Sequence, residues 1–263
     1  PNPSSPSAGF SASAATGRPW ENSLGMTFLP VPDHRILMGR HEVRIRDMEP
    51  FRVQDRSFRP AYRPPRRRLG TLTADGGSVQ EVPETGNPGF ETTPDHPAYG
   101  VFPNEAQYFC AWLTLKEQAE GRLKPHQSYR LPTLAEWRAA AGDVSGNTGN
   151  LAGPEARNES WPTGREVSPM ADAFPRSAPV GSFPPNALGF HDMVGNVSEI
   201  TVPDDAVALD DTPYFTRLVR VGGSWADVPA AEYHEERGKS PRTGTQRVDA
   251  GFRCVLDLGA EGE

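Results

Sequence analysis

A loop-rich fold that mixes short strands with a few helices is what this sequence predicts, and three observations predict it. Gly and Pro are abundant, 26 and 28 of 263 residues, well above average usage. Hydrophobic residues make up 36% and charged residues 23%, enough to bury one core in a soluble domain. Segments with helical or strand periodicity are short and separated by stretches that have neither. The charge balance narrows function as well. A net charge of -7 and a pI near 5.5 argue against a nucleic-acid surface, which needs concentrated Lys and Arg. No apolar run approaches the roughly 18 residues of a membrane span.

Residues 1–18 are mostly Pro, Ser, Ala and Gly. Such a segment has too few apolar anchors to offset its ordering entropy by burial. Residues 1–19 therefore read as a flexible linker, 20–258 as one domain and 259–263 as a tail. The chain opens on Pro without a charged-then-apolar leader, so a signal peptide would have been removed or would lie in a longer parent chain.

Within the domain, Met26-Thr27-Phe28-Leu29-Pro30-Val31 and Arg35-Ile36-Leu37-Met38 predict two strands around a Pro32-Asp33 turn. Residues 47–54 predict a short helix. Residues 59–93 are poorly patterned, and their Arg66-Arg67-Arg68 run reads as a solvated loop. A long helix follows, capped by Asn104 with Gln107 three positions on, with Ala106, Phe109, Cys110 and Leu113 on one face and Gly121 after the last turn. Residues 129–131 predict a strand, and Thr133-Leu134-Ala135-Glu136 is a capping box that opens a second helix through Trp137 to Ala141. Beyond Gly142 periodicity returns only in the strand-like residues 217–221 and 252–256. So long an unpatterned stretch is uncommon unless something orders it, and bound metal is the usual remedy.

Few residues declare a chemistry by themselves. Cys110 and Cys254 match no close-spaced zinc pattern, and they are either free buried thiols or one long-range disulfide. As a disulfide they would stabilise by about 4 to 5 kcal/mol in the chain-entropy model and imply an oxidising compartment. The six histidines show no ligand spacing. No phosphate-cradling loop, nucleophile elbow or zinc-protease helix is present. Ser224 in Gly222-Gly223-Ser224-Trp225 reads as a backbone-turn residue.

The ordered motifs carry more. Asn22-Ser23-Leu24-Gly25-Met26, His41-Glu42-Val43, His96-Pro97, Ala106-Gln107-Tyr108-Phe109-Cys110-Ala111-Trp112-Leu113 and Tyr129-Arg130-Leu131-Pro132-Thr133 come first. Pro179-Val180-Gly181-Ser182-Phe183, Gly189-Phe190-His191-Asp192-Met193-Val194-Gly195-Asn196-Val197, Arg220-Val221-Gly222-Gly223-Ser224-Trp225 and Gly251-Phe252-Arg253-Cys254 follow. Each is weak alone. In this order they resemble the formylglycine-generating enzyme, or sulfatase-modifying factor, family. That resemblance implies an α+β, irregular loop-rich fold related to C-type lectin domains. Two departures stand out: Ser198 and Ile200 replace two usual tryptophans, and the segment from Leu151 to Pro169 follows a different pattern.

The resemblance also implies a site. In the family, two calcium ions order the long loops. Carried over, one would use Asn150, the carbonyl of Leu151, Asp172 and the carbonyl of Phe174. The other would use Asp192, the carbonyls of Gly195 and Val197, and Glu199. Such mixed oxygen sets suit a hard cation that takes six to eight oxygens; the alternative is that Asp172 and Asp192 only form turns. Cys110 and Cys254 match the family's structural disulfide. The family's two copper-binding cysteines fall here on Asp227 and Glu232, and carboxylates do not replace soft thiolates for Cu(I), so no copper is expected. The resemblance thus implies a non-catalytic binding or sensory module for a peptide, protein or small ligand. It is expected to be extracytoplasmic and tethered to another domain of a larger bacterial protein. Its contacts would come from residues 227–247, with Tyr233, His234, Arg237 and Arg242 as candidates. The runner-up is an oxidase or tailoring enzyme using another metal on Asp227, Glu232 and His234. A lectin-like receptor is the third reading, resting on the fold relationship alone.

Overall fold

A computed structural model describes residues 14, 17–54, 68–71, 78–81, 90–144, 149–157, 167–205, 218–227, 236–237 and 246–259. Strand β1 (Trp20–Glu21) pairs with β2 (Thr27–Pro30), which turns through Asp33 at φ 61° into β3 (Ile36–Gly39). The predicted hairpin forms, with Leu29 opposite Met38. Helix α1 (Ile45–Gln54) follows. In the poorly patterned stretch lie β4 (Arg68–Thr71) and β5 (Ser78–Glu81), which sequence reading missed.

Helix α2 (Pro103–Ala119) carries the predicted face, but its start differs from expectation. Phe102 is the N-cap and Pro103 takes the first helical position, with no side-chain cap. Pro is favoured there because its missing N–H would be unpaired anyway. Asn104 thus lies inside the helix, and its Oδ1 is buried without a partner. The helix stops as predicted at Gly121, φ 69°, where Gly121 N–H donates to the Gln118 carbonyl and Arg122 N–H to that of Glu117. This paired closure satisfies carbonyls the helix leaves open.

Strand β6 (Ser128–Arg130) leads into α3 (Leu134–Ala141), whose capping box between Thr133 and Glu136 is present in both directions. From Gly142 to Val197 the described residues hold one 3₁₀ turn, Pro154–Ala156, and no helix or strand. Then come β7 (Ser198–Thr201), β8 (Val219–Val221), β9 (Glu236–Arg237), β10 (Gln246–Arg247), β11 (Ala250–Gly251) and β12 (Val255–Asp257). The final strand begins later than the alternation predicts; just before it the carbonyls of Phe252 and Cys254 accept from Val43 and Gly39 N–H, while the side chains of Phe252, Arg253 and Cys254 are buried.

Five strands form an antiparallel sheet in the order β1-β2-β3-β12-β6. Alternate residues of a strand face opposite sides, and both faces are covered here. Phe28, Leu37, Tyr129 and Leu256 join Phe109, Cys110 and Leu113 of α2 in one cluster. Ile36, Met38 and Val255 join Leu134, Trp137 and Ala140 of α3 in another. A four-stranded sheet, β11-β7-β8-β9, and a three-stranded sheet, β10-β4-β5, complete the α+β architecture. Ile200, in place of a usual tryptophan, is buried in the α2 cluster, and the Ser198 hydroxyl donates to the Asp249 carbonyl. Ala14, within the expected linker, is also buried there, and its carbonyl accepts from Gln127. No helix among the described residues is long and apolar enough to cross a membrane.

Candidate functional site

The long loops converge on Asn196, fully buried and held at φ 59°. Its side chain accepts from Ala178 N at 2.8 Å and from Asn150 Nδ2 at 3.2 Å, and donates to Glu42 at 2.9 Å. Its backbone N–H donates to the Asn150 carbonyl, and its carbonyl accepts from Trp225 N. An Asn suits this post, because its amide offers both donors and acceptors and its residue type tolerates positive φ. Beside it, Gly195 has φ 77°, and a Cβ there would sit 2.1 Å from the Asn150 carbonyl oxygen. Only glycine allows so close an approach of two backbones. The two predicted ligand segments are therefore neighbours, paired in parallel at Asn150 and Gly195.

The second predicted set is built around a buried arginine. Arg253, with no exposure, donates from Nε to Glu199 Oε2 at 2.6 Å and from Nη2 to Oε1 at 2.5 Å. It also reaches the carbonyls of His191 and Gly39. Trp137 Nε1 donates to Glu199 Oε2 at 2.8 Å, so only Oε1 keeps a free acceptor position. Asp192, at φ 57°, accepts from Gly181 N, and Glu42 accepts from Asn196 and Val197 N. Three carboxylates thus share one guanidinium. Burial, reinforced by Asp192 and Glu199, pushes the Glu42 carboxyl well up. Burial likewise pushes Asp192 up to about 6, while Gly181 N–H and Arg253 pull it down. The cluster thus holds more carboxyl groups than cationic partners among the described residues, with Arg253 the shared one. Above this cluster His41 and His191 stack with ring centroids 4.8 Å apart. Burial, then the charges of His191 and Arg253, lower His41 to about 3. His191 Nδ1 lies 2.9 Å from the Phe183 carbonyl oxygen, within hydrogen-bond distance.

In the first predicted set Asp172 lies beside Leu151 and Phe174. The Asp172 carboxylate accepts from the N–H groups of Phe174 and Leu151, the two residues whose carbonyls were expected to contribute. Burial raises its pKa, and the charge of Glu155 adds to the rise. Asn150 is fully buried and spends its Nδ2 on the Arg176 carbonyl and Asn196, leaving Oδ1 buried without a partner. An orphaned buried carbonyl oxygen costs about 1–3 kcal/mol unless something binds it, and a hard cation fits that need.

Cys110 and Cys254 meet in the core with sulfurs 3.4 Å apart, both as free thiols. The juxtaposition is as expected; the bond is not formed in this structure, and burial holds the Cys254 thiol well up. Of the expected contact residues, Asp227 closes the Gly-Gly-Ser-Trp turn: Ser224 Oγ donates to its Oδ2 at 2.6 Å, and its N–H donates to the Ser224 carbonyl. Ser224 is fully buried, as the turn reading requires. Arg237 lies in β9 opposite Val219. Glu232, Tyr233, His234 and Arg242 lie outside the described residues. Among the described residues no group of three or more His, Cys, Asp or Glu is placed to hold a metal; both predicted cation sets rely on amide and backbone oxygens. Sequence reading did not assign Glu42, Asn196 or Arg253 to the site. Each lies in a quoted motif, but only the fold reveals its partners.

Residues 36–258 match the family described as "Sulfatase-modifying factor enzyme 1-like domain". The chain is 31% identical over 177 residues to an inactive C-alpha-formylglycine-generating enzyme 2 of Bos taurus, covering 63% of this chain and 52% of that protein. It is 28% identical over 183 residues to a serine/threonine-protein kinase of Chlamydia trachomatis serovar L2, covering 62% of this chain and 24% of the kinase. The chain spans about half the length, or less, of the curated relatives it matches. Among solved structures, PvdO from Pseudomonas aeruginosa superposes with a TM-score of 0.54 at 19% identity, over 94% of this chain and 100% of that one. At that identity the likeness speaks for the fold.

Proposed function

The chain belongs to the sulfatase-modifying factor enzyme 1-like family, and from that membership we propose a non-catalytic, calcium-stabilised binding or sensory module. The observation that carries this reading is where the thiols are. The chain has two cysteines, and both are buried in the α2 core, while Asp227 occupies a position where the family resemblance placed a copper-binding thiolate. The Asp227 carboxylate is committed to the Ser224 hydroxyl, which stiffens the turn and leaves no soft donor there. A peptide, protein or small ligand would be met by the segment 227–247 that continues from this turn.

Calcium would be held by Asn150, Leu151, Asp172 and Phe174 in one set and by Asp192, Gly195, Val197 and Glu199 in the other. When bound it would supply positive charge and oxygen coordination to loops that have no helix or strand of their own. The chain's own residues do the positioning. Asn196 fastens the 150, 178 and 225 segments together, and Arg253 fixes Glu199 so that one of its oxygens stays available. The adjacent thiols support an oxidised Cys110–Cys254 bond in the native protein, and hence an extracytoplasmic setting. The kinase relative, of which this match covers a quarter, supports a domain joined to others.

Anaerobic titration with Cu(I), followed by an aerobic assay on a cysteine-containing sulfatase-type peptide, tests the reading. Neither tight copper binding nor peptide aldehyde is expected. Tight binding with loss of the peptide thiol and gain of aldehyde would overturn it.

A further inference from the structure

Glu155 belongs to the segment that departs from the family pattern, and no expectation included it. It sits in the 3₁₀ turn Pro154–Ala156, and both of its carboxylate oxygens are buried without a hydrogen-bond partner. They are folded over Gly153. A Cβ on Gly153 would lie 2.2 and 2.5 Å from the two Glu155 oxygens and 2.5 Å from the Met170 carbonyl oxygen. Three oxygens therefore crowd one bare α-carbon, and any side chain at 153 would evict them. The cradle is held from both sides. Ser168 N–H donates to the Ala152 carbonyl at 2.6 Å, and Met170 N–H donates to Ser168 Oγ. Two residues beyond Met170 stands Asp172, whose carboxylate accepts from Leu151 N and feels the charge of Glu155. Next to Leu151 is Asn150, fully buried, with its own oxygen unpartnered.

Oxygens that converge without donors repel one another, and burial removes the water that would screen them. A hard cation would satisfy them all, and calcium's demand for six to eight oxygens exceeds what Asn150, Leu151, Asp172 and Phe174 supply singly.

We propose that Glu155, with the Met170 carbonyl, completes the cation site of Asn150 and Asp172, giving that site a second carboxylate that the family resemblance did not imply. The inference rests on the calcium reading above and adds to it a ligand that reading did not include. A second carboxylate raises affinity for a divalent ion, because ligand charge is one of the terms that tunes calcium binding.

The test is calorimetric calcium titration and thermal melting of the full chain, with and without chelator, for the wild type, Glu155→Gln, Asp172→Asn and Asp192→Asn. Glu155→Gln is expected to weaken one calcium site by about tenfold or more and to leave the site lost in Asp192→Asn intact. In chelator the same variant should melt above the wild type, since the Gln amide brings N–H donors among crowded oxygens; a merely misfolded variant would melt below. Calcium affinity unchanged in Glu155→Gln but lost in Asp172→Asn would overturn the role of Glu155 while leaving the calcium reading standing. No calcium binding by the wild type would overturn both.

Discussion

Replacing Arg253 by Met tests the charged centre most directly. The guanidinium is fully buried and donates to both Glu199 oxygens at 2.5 and 2.6 Å, to the His191 carbonyl at 3.0 Å and to the Gly39 carbonyl at 3.1 Å. Methionine keeps much of the volume and removes every donor. Glu199, 1% exposed, would then retain only Trp137 Nε1, with Glu42 and Asp192 still nearby. Removing one partner of a buried pair typically costs about 3–5 kcal/mol. The two orphaned carbonyls add to this without summing fully, since the same cavity relaxes around all of them. We expect a loss of about 4–5 kcal/mol, a large share of the stability of a typical domain. Arg253→Lys keeps the charge but not the planar fork, so about 2–3 kcal/mol should be lost. Adding Glu199→Gln to Arg253→Met should recover at least about 1 kcal/mol, because the unpaired charge is then gone. Urea unfolding followed by tryptophan fluorescence, at pH 7 and fixed calcium, measures all three, with the slope checked for constancy. A loss below about 1 kcal/mol in Arg253→Met, or no recovery in the double variant, would refute the argument.

Two other outcomes follow from the same packing. Intact mass before and after reduction and alkylation should show Cys110 and Cys254 oxidised in protein made in an oxidising compartment, with reduction costing up to about 4–5 kcal/mol; two free thiols in unreduced protein would remove both the bond and the compartment argument. Acid should destabilise the chain through His41. Its folded pKa of about 3 lies below the roughly 6.5 of an unfolded histidine, so between those values the unfolded state holds more protons. That contribution is fully present above about pH 6.5 and is lost as pH falls, by at most about 1.4 kcal/mol per unit. Unfolding midpoints at pH 7 and 5 should therefore fall less in His41→Gln than in the wild type. Parallel losses would mean that His41 is not held neutral by its surroundings.

The elements that were legible in the sequence are those whose causes are local. The capping box at Thr133 and Glu136, the Pro32-Asp33 turn between alternating strands, and the Gly121 stop each depend on residues within one or two turns of chain. Local reading failed where a longer contact decided the outcome. Asn104 looks like a cap, but Pro103 starts the helix. Residues 252–254 alternate like a strand, yet the strand begins only at Val255, and the Arg253 side chain is committed to Glu199 instead. Strands β4 and β10 pair across some 180 residues, a register no neighbouring residue specifies.

The candidate site divides in the same way. Family motifs pointed to Asn150, Asp172, Asp192 and Glu199, and the structure sets the Asn150 and Gly195 segments side by side, because Gly195 lets the two loops touch backbone to backbone. Glu42, more than 150 residues from its partners Asn196 and Val197, has no sequence neighbour that explains its burial. Glu155 sits in a divergent segment where no motif could flag it. The sequence alone therefore determined the family resemblance, the locally capped and turned elements, and the absence of cysteine at the position of Asp227, since these depend on residue identity and local spacing. Only the tertiary structure decided which carboxylates lack a counter-charge, because that depends on which distant side chains exclude water from them.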